Sequence, residues 1–131
     1  MEAKRVGALL KIDNIMFFAS NLDKTAQFYS DVLGLKRAWT DENRGMIGFV
    51  FRKSNSEIVI HNDKSLPNPS FNFLVKNVEA FCEKFRAKGG KVVMEPFEVR
   101  CGKYAVVADP DGNELPIIDL TKFGGKPRYD Q

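Results

Sequence analysis

The residues of this chain that could carry acid–base or metal chemistry are few. His61 is the single histidine, and Glu57 precedes it on the same face of a predicted strand, because side chains alternate along a strand. Asp13 or Glu114 could join this pair in a metal site, since imidazole and carboxylate groups bind divalent metals. Two ligands alone are too few for a firm site. We therefore expect His61 to end a strand and to hydrogen-bond to solvent or to the backbone of the following segment.

Neither cysteine has the setting of a catalytic nucleophile. Cys82 and Cys101 are the only two cysteines; they form no C-x-x-C pair, and the sequence predicts no disulfide. Cys82 falls on the apolar face of a predicted helix, where a thiol behaves as a small core side chain. Cys101 falls in a predicted turn beside Arg100 and Lys103. These cations could lower its thiol pKa, but we expect an ordinary exposed cysteine.

Length and composition predict one globular domain. The chain has 131 residues, of which 44% are hydrophobic, and its net charge is +3. This is enough apolar material for a real core. The basic residues are scattered, so we expect no nucleic-acid partner. Met1–Leu10 contains no long apolar segment, and we therefore expect no signal peptide, no membrane partner and a cytoplasmic location.

The order of predicted elements is the same in both halves of the chain: one strand, one helix and three strands. The predicted helix starts, Leu22 and Val78, are as far apart as Asn14 and Ser70 in the opening strands, which indicates an internal duplication. The predicted divisions are a first module at residues 10–62, a linker at 62–69, a second module at 70–120 and a tail at 121–131. We expect the tail to be mobile or to form an arm on a neighbouring subunit.

Capping residues and apolar periodicity predict the limits of the elements. Ser20 or Asn21 is expected to cap the first helix and Gly34 to end it, while Asn77 caps the second helix and Gly89–Gly90 ends it. The core-facing stripes are Leu22, Ala26, Tyr29 and Leu33, widened by Thr25, Phe28 and Val32, and then Val78, Phe81, Cys82 and Phe85. The predicted strands are Lys11–Ala19, Leu35–Asp41, Met46–Arg52, Glu57–His61, Ser70–Val75, Lys91–Arg100, Lys103–Ala108 and Glu114–Asp119.

Two motifs taken together indicate a family. Phe28–Leu35 reads F-Y-S-D-V-L-G-L at the end of the first helix, and Asp109–Asn113 reads D-P-D-G-N before the last strand. This pair resembles the vicinal oxygen chelate family, which includes glyoxalase I, extradiol dioxygenases, and fosfomycin- and bleomycin-resistance proteins. The resemblance covers residues 10–120. It implies an α+β fold, in which two tandem βαβββ modules form curved mixed sheets around a cleft, and a homodimer.

The resemblance also implies where a metal would bind, and this chain departs from that pattern. Metal-dependent members hold one divalent cation with two His and one or two Glu side chains. The corresponding positions here are Asn14, Val59, Ser70 and Pro116, of which Val59 is aligned only to within a residue or two. Asn and Ser offer weak neutral oxygens, and Val and Pro offer none, so we expect no metal and no other cofactor. Because Pro116 lacks a backbone N–H, we also expect the last strand to lie at a sheet edge.

The cleft that the resemblance implies would have apolar and aromatic walls with a few polar groups. The predicted ligand-binding residues are Asn14, Met16, Trp39, Glu57, His61, Ser70, Asn72, Tyr104 and Pro116. We predict no catalytic residue and interpret the chain as a metal-independent protein that binds a small aromatic or amphipathic molecule, in sequestration or resistance. The alternative is a lyase, dioxygenase or epimerase that uses a displaced metal site or only acid–base groups, namely Glu57, His61 and Glu114. A third hypothesis is an interaction module whose own side chains fill the cleft.

Overall fold

The computed structural model describes residues 7–131, and in these residues the chain forms eight strands and two α-helices. The elements are β1 (Lys11–Phe18), α1 (Leu22–Gln27), β2 (Lys36–Asp41), β3 (Met46–Val50), β4 (Glu57–His61), β5 (Ser70–Leu74), α2 (Val78–Ala87), β6 (Lys91–Glu98), β7 (Lys103–Ala108) and β8 (Glu114–Ile118). The predicted order of elements and the α+β class are confirmed. Neither helix of this described part is long and apolar enough to cross a lipid bilayer.

The chain forms two compact units, each with four strands and one α-helix. The α1 unit contains Asp13–Phe71 together with Arg128–Gln131, and the α2 unit contains residues 7–12 together with Asn72–Pro127. In the α1 unit, β1 pairs in parallel with β4, and the other strand pairs are antiparallel. In the α2 unit, β5 pairs in parallel with β8, and the others are antiparallel. The strand pairing is therefore mixed in both units, as the resemblance implies.

The sheet of the α1 unit is covered on one face by α1. Its strand order is β2-β3-β4-β1. The residues that pack between helix and sheet are Ala19, Ala26, Ile47, Phe49 and Ile60, with Leu22, Tyr29, Leu35 and Ile58 partly buried around them. Since neighbouring residues on a strand point to opposite faces, the residues that alternate with Ile58 and Ile60 on β4 lie on the other face. That face carries most of the predicted site residues of this unit.

The first helix differs from the prediction at its end. Asn21 caps α1 by accepting a hydrogen bond from the Lys24 amide (3.1 Å), as expected. After Gln27, however, the helix widens into a π-helical turn at Phe28–Val32, in which the Leu33 amide donates to the Phe28 carbonyl (3.2 Å). A π turn shifts the helical period, so the exposed side chains here include Phe28, Val32 and Leu33. The prediction that these three face the core is wrong.

The sheet of the α2 unit has the order β5-β8-β7-β6, and α2 covers one face. The fully packed residues are Val75, Val78, Phe81, Cys82, Ala105, Val107 and Ile117, and Phe85 packs against them. The predicted apolar face of α2 and the core position of Cys82 are thus confirmed. Asn77 caps the helix by accepting from the Ala80 amide (2.9 Å), which satisfies one of the free amides of its first turn.

Asp119 connects three segments of the α2 unit and is fully buried. Its Oδ2 accepts a hydrogen bond from the Val78 amide at the start of α2 (2.7 Å). Its Oδ1 accepts from the Lys103 amide at the start of β7 (2.9 Å) and from the Thr121 hydroxyl (2.7 Å). A buried carboxylate is stable only where several donors satisfy it, and here two backbone amides and the Thr121 hydroxyl supply them.

β8 is an interior strand of the α2 unit, so the prediction that Pro116 marks an edge strand is wrong. β8 lies between β5 and β7. The Asp119 amide donates to the Lys103 carbonyl (3.1 Å). Because amide directions alternate along an antiparallel strand, the nitrogen of Pro116 faces away from β7. The register with β5 begins at Ile117, directly after Pro116.

Cys101 is buried, and the prediction of an exposed turn cysteine is wrong. Its side chain packs in a small cluster with Ile118 and Leu120. The Lys122 amide donates to the Cys101 carbonyl (3.0 Å), which draws the segment after β8 over the turn. The composition of the turn alone does not indicate that the segment after β8 covers Cys101.

Candidate functional site

The predicted site residues of the α1 unit lie on one face of its sheet, opposite α1. The register aligns Asn14 with Glu57, Met16 with Val59, and Phe18 with His61. Aligned residues on neighbouring strands share a face. From β2, Trp39 aligns with Gly48 and hence with Val59. We call this surface the β1/β4 face; it carries Asn14, Met16, Trp39, Glu57, Val59 and His61.

A hydrogen bond between Trp39 and Glu57 crosses this face. The Trp39 Nε1–H donates to Glu57 Oε1 at 2.7 Å. The indole reaches β4 by passing over Gly48 on the intervening strand, where a Cβ would stand 2.2 Å from both Cε2 and Nε1 of Trp39. Hydrogen bonds to a carboxylate are stronger than neutral ones, so Glu57 is held in a fixed position. Sequence reasoning missed the role of Gly48, although a glycine inside a strand is a signal of close approach.

Asp13 and Asn14 add polar groups to β1. Both residues are buried, and the Asn14 Nδ2 amide donates to Asp13 Oδ2 at 2.9 Å. The α1 unit thus contains two carboxylates, those of Asp13 and Glu57, and the side-chain amide of Asn14. This arrangement can bind polar groups of a small molecule, and Glu57 is a carboxylate that could accept a proton.

His61 is fully buried at the end of β4. Its Nδ1 accepts a hydrogen bond from the Asp63 amide at 3.1 Å. The predicted bond to the backbone of the following segment is thus confirmed, whereas the expected bond to solvent is excluded by burial. Since Nδ1 is an acceptor, the proton of the neutral ring sits on Nε2, which has no hydrogen-bond partner among residues 7–131. Burial lowers the pKa of His61, and the charge of Asp63 opposes that effect.

Glu57 and His61 do not converge on one point. They are separated by Val59 and an extended strand, or about 13 Å between Cα atoms at 3.3 Å per residue. They also bind different partners, Trp39 and the Asp63 amide. Across residues 7–131, no three His, Cys, Asp or Glu side chains lie close enough together to hold a metal ion. The displaced metal site that the enzyme alternative considered is not formed by these residues.

The predicted site residues of the α2 unit lie on the sheet face opposite α2. Pro116 aligns with Val106, and Tyr104 aligns with Ile118 on the same face. Burial raises the pKa of Tyr104, and the negative charge of Glu114 raises it further, so the phenol remains a hydrogen-bond donor. Asn72 is buried in the same unit. Ser70 opens β5 and is half-buried in the α1 unit.

A shallow polar groove of about 640 Å³ lies elsewhere, along α1. Its lining includes Asp23, Lys24 and Arg37 and none of the predicted site residues. The groove is open to solvent, and water can hydrate its charged residues without a ligand. The β1/β4 face, in contrast, carries an aromatic ring hydrogen-bonded to a carboxylate, Trp39 and Glu57, and we place the candidate site on that face.

The side chains at the family's metal positions do not fit a divalent transition metal. Asn14 and Ser70 provide neutral oxygens, and Asn14 already donates its amide to Asp13. Pro116 provides no donor atom. Val59 provides none either, whereas Glu57, two residues before it on the same face, provides a single carboxylate. Metals of this kind need imidazole, thiolate or carboxylate ligands at three or more positions, and the residues at these positions do not supply them.

Comparison with known proteins identifies the family. The model of the Glyoxalase/Bleomycin resistance protein/Dioxygenase superfamily matches residues 11–117. The chain belongs to this superfamily. The resemblance of the F-Y-S-D-V-L-G-L and D-P-D-G-N motifs to the vicinal oxygen chelate family is thus confirmed.

Members of the superfamily with several activities are similar to this chain. A probable lactoylglutathione lyase from Synechocystis sp. is 36% identical over 121 residues, covering 81% of this chain and 92% of the relative. The lactoylglutathione lyase of Haemophilus influenzae is 32% identical over 132 residues, covering 88% of this chain and 98% of that protein. Methylmalonyl-CoA epimerase from Mycobacterium tuberculosis superposes with a TM-score of 0.63 at 17% identity, covering 89% of this chain and 91% of the other. That structural likeness shows the shared fold.

Proposed function

We propose that this superfamily member binds a small organic molecule on the β1/β4 face without a bound metal ion. The observation that carries the proposal is the set of side chains at three of the metal positions, Asn14, Ser70 and Pro116, which provide no imidazole and no carboxylate. The hydrogen-bonded Trp39 and Glu57 supply an aromatic wall and a fixed carboxylate. Such a combination suits an aromatic or amphipathic ligand with a polar group.

A second candidate is a lyase of the same superfamily, and the named relatives support it better than they support binding alone. The relatives are lactoylglutathione lyases, and two of them are 32% and 36% identical to this chain over most of its length. Without a metal, the group on this face best placed for such chemistry is Glu57. Its carboxylate would take a proton from a hydroxyl-bearing carbon next to a carbonyl and return it to the carbonyl carbon, while the hydroxyl proton passes to the carbonyl oxygen, so that the two carbons exchange oxidation states. Trp39 orients the carboxylate for that transfer.

One experiment separates the two candidates. The purified chain is titrated with S-lactoylglutathione and assayed with the adduct of methylglyoxal and glutathione, in each case with excess EDTA. Binding without turnover supports the binding protein, whereas turnover that Glu57→Gln abolishes supports the lyase. Glu42→Gln is the matched control, because Glu42 is an exposed turn residue. Turnover that appears only when a divalent metal is added would contradict the metal-free proposal, and the absence of both binding and turnover would contradict both candidates.

A further inference from the structure

The segment Arg128–Gln131 lies against the outer edge of β2. The amides of Asp130 and Gln131 both donate to the Ala38 carbonyl, at 2.7 and 3.0 Å. The Thr40 hydroxyl donates to Gln131 Oε1 at 2.5 Å. The expectation of a mobile tail, or of an arm on a neighbouring subunit, is therefore wrong for this segment, which is fixed to its own chain.

A β-bulge explains why Ala38 receives the segment. The register between β2 and β3 shifts between Arg37 and Trp39, which leaves Ala38 out of the regular pairing. A bulged residue bends its strand and redirects the groups beside it. The same bulge precedes Trp39, so the attachment point of the segment is next to the residue that binds Glu57.

Tyr129 precedes Asp130, whose amide donates to the carbonyl of Ala38, the residue before Trp39. Partial burial raises the pKa of Tyr129, and the negative charges of Glu57 and Asp13 raise it further. Its phenol therefore keeps its proton across the neutral and mildly alkaline range. The side chain is 39% exposed, so a ligand can still reach it.

We propose that Arg128–Gln131 is a strap across the edge of the β1/β4 face and that Tyr129 is a ligand-contacting residue of the site. This inference rests on the proposed function and adds a hydrogen-bond donor to the proposed ligand site. On this face the Trp39 indole donates to Glu57 and the Asn14 amide donates to Asp13. The Tyr129 hydroxyl supplies a further donor, which a carbonyl or carboxylate oxygen of the ligand requires. The bound molecule would thus lie between the Glu57 carboxylate and the Tyr129 phenol.

The strap is tested first in the protein without ligand. Trp39 is the only tryptophan, so quenching of its fluorescence by acrylamide reports access to the face. We expect stronger quenching when the chain is cut after Pro127 and when Thr40→Val removes the bond to Gln131. Alkaline titration of tyrosinate absorbance should also lose one of its raised-pKa components in Tyr129→Phe. Unchanged quenching in both strap variants would overturn the strap.

The ligand contact is tested with S-lactoylglutathione as the probe. Tyr129→Phe should weaken binding about three- to tenfold, the effect of one lost hydrogen bond. Tyr29→Phe, whose ring packs against Phe49 on the α1 side (5.7 Å between centroids), should bind as the wild type does. If the wild type binds the probe and Tyr129→Phe binds equally well, the contact is wrong while the proposed function stands. If the wild type does not bind it, the proposed function and the contact fail together, and the quenching result still decides the strap.

Discussion

Gly48 should be intolerant of any side chain, because the Trp39 indole occupies the space above it. A Cβ at Gly48 would stand 2.2 Å from Cε2 and Nε1 of Trp39 and 2.7 Å from Cζ2. Gly48→Ala must therefore push the indole off the strand or displace β3. Either movement breaks the hydrogen bond of 2.7 Å between Trp39 and Glu57.

The expected cost of Gly48→Ala follows from three contributions to the free energy of unfolding. Overpacking of a buried site costs about 1–3 kcal/mol. Loss of a hydrogen bond to a charged group costs about 1.5–3 kcal/mol. Alanine regains about 0.5–1 kcal/mol over glycine inside a strand. The variant should thus be less stable by about 2–5 kcal/mol.

Urea unfolding followed by circular dichroism measures this difference, and the emission of Trp39 reports the indole environment in the folded state. We expect a red-shifted emission in Gly48→Ala. The control is the double-mutant cycle with Trp39→Leu, in which most of the penalty of Gly48→Ala should disappear because the smaller side chain leaves room. A Gly48→Ala variant within about 0.5 kcal/mol of the wild type, with unchanged emission, would refute the packing of Trp39 over Gly48.

Two further predictions concern buried polar groups. Asp119→Ala should cost about 3–5 kcal/mol in urea unfolding, because the amides of Val78 and Lys103 lose their buried acceptor; a loss below about 1 kcal/mol would show that water replaces the carboxylate. Stability should also fall as the pH drops below 6.5, the ordinary pKa of histidine. The lowered pKa of folded His61 means that the unfolded chain binds the proton first. In His61→Gln, the urea midpoint should change less between pH 7.5 and pH 5.5 than it does in the wild type. An equally steep decline in that variant would assign the effect to other groups.

Local features of the sequence were the most predictable. Asn21 and Asn77 cap their helices, and Gly34 ends the first helical segment at φ +72°, because capping and positive φ depend on a few neighbouring residues. The limits of β4 and β7 also match the prediction. By contrast, the prediction from apolar periodicity assumed that a regular α-helix continues through Phe28. A π turn cannot be recognised from that pattern and was therefore not predicted.

Features that depend on distant pairing could not be predicted from local sequence. Pro116 indicated an edge strand, but the parallel pairing of β5 with β8 places it in the sheet interior. Cys101 is covered by a segment that follows β8 rather than by its neighbours. For the site, Trp39 and Glu57 were each predicted, whereas their hydrogen bond depends on the strand register and on Gly48. The attachment of Arg128–Gln131 to Ala38 was not predicted, because nothing near this segment in sequence indicates it.

The metal content of the purified protein tests the central claim most directly. The chain is produced in medium that contains nickel, zinc, manganese and iron, dialysed without chelator, and analysed by mass spectrometry of the elements. Because Asn14, Ser70 and Pro116 replace ligands of the family, we predict far less than one equivalent of any of these metals. About one equivalent of one metal, retained through dialysis and lost in Asn14→Ala or Ser70→Ala, would contradict the account.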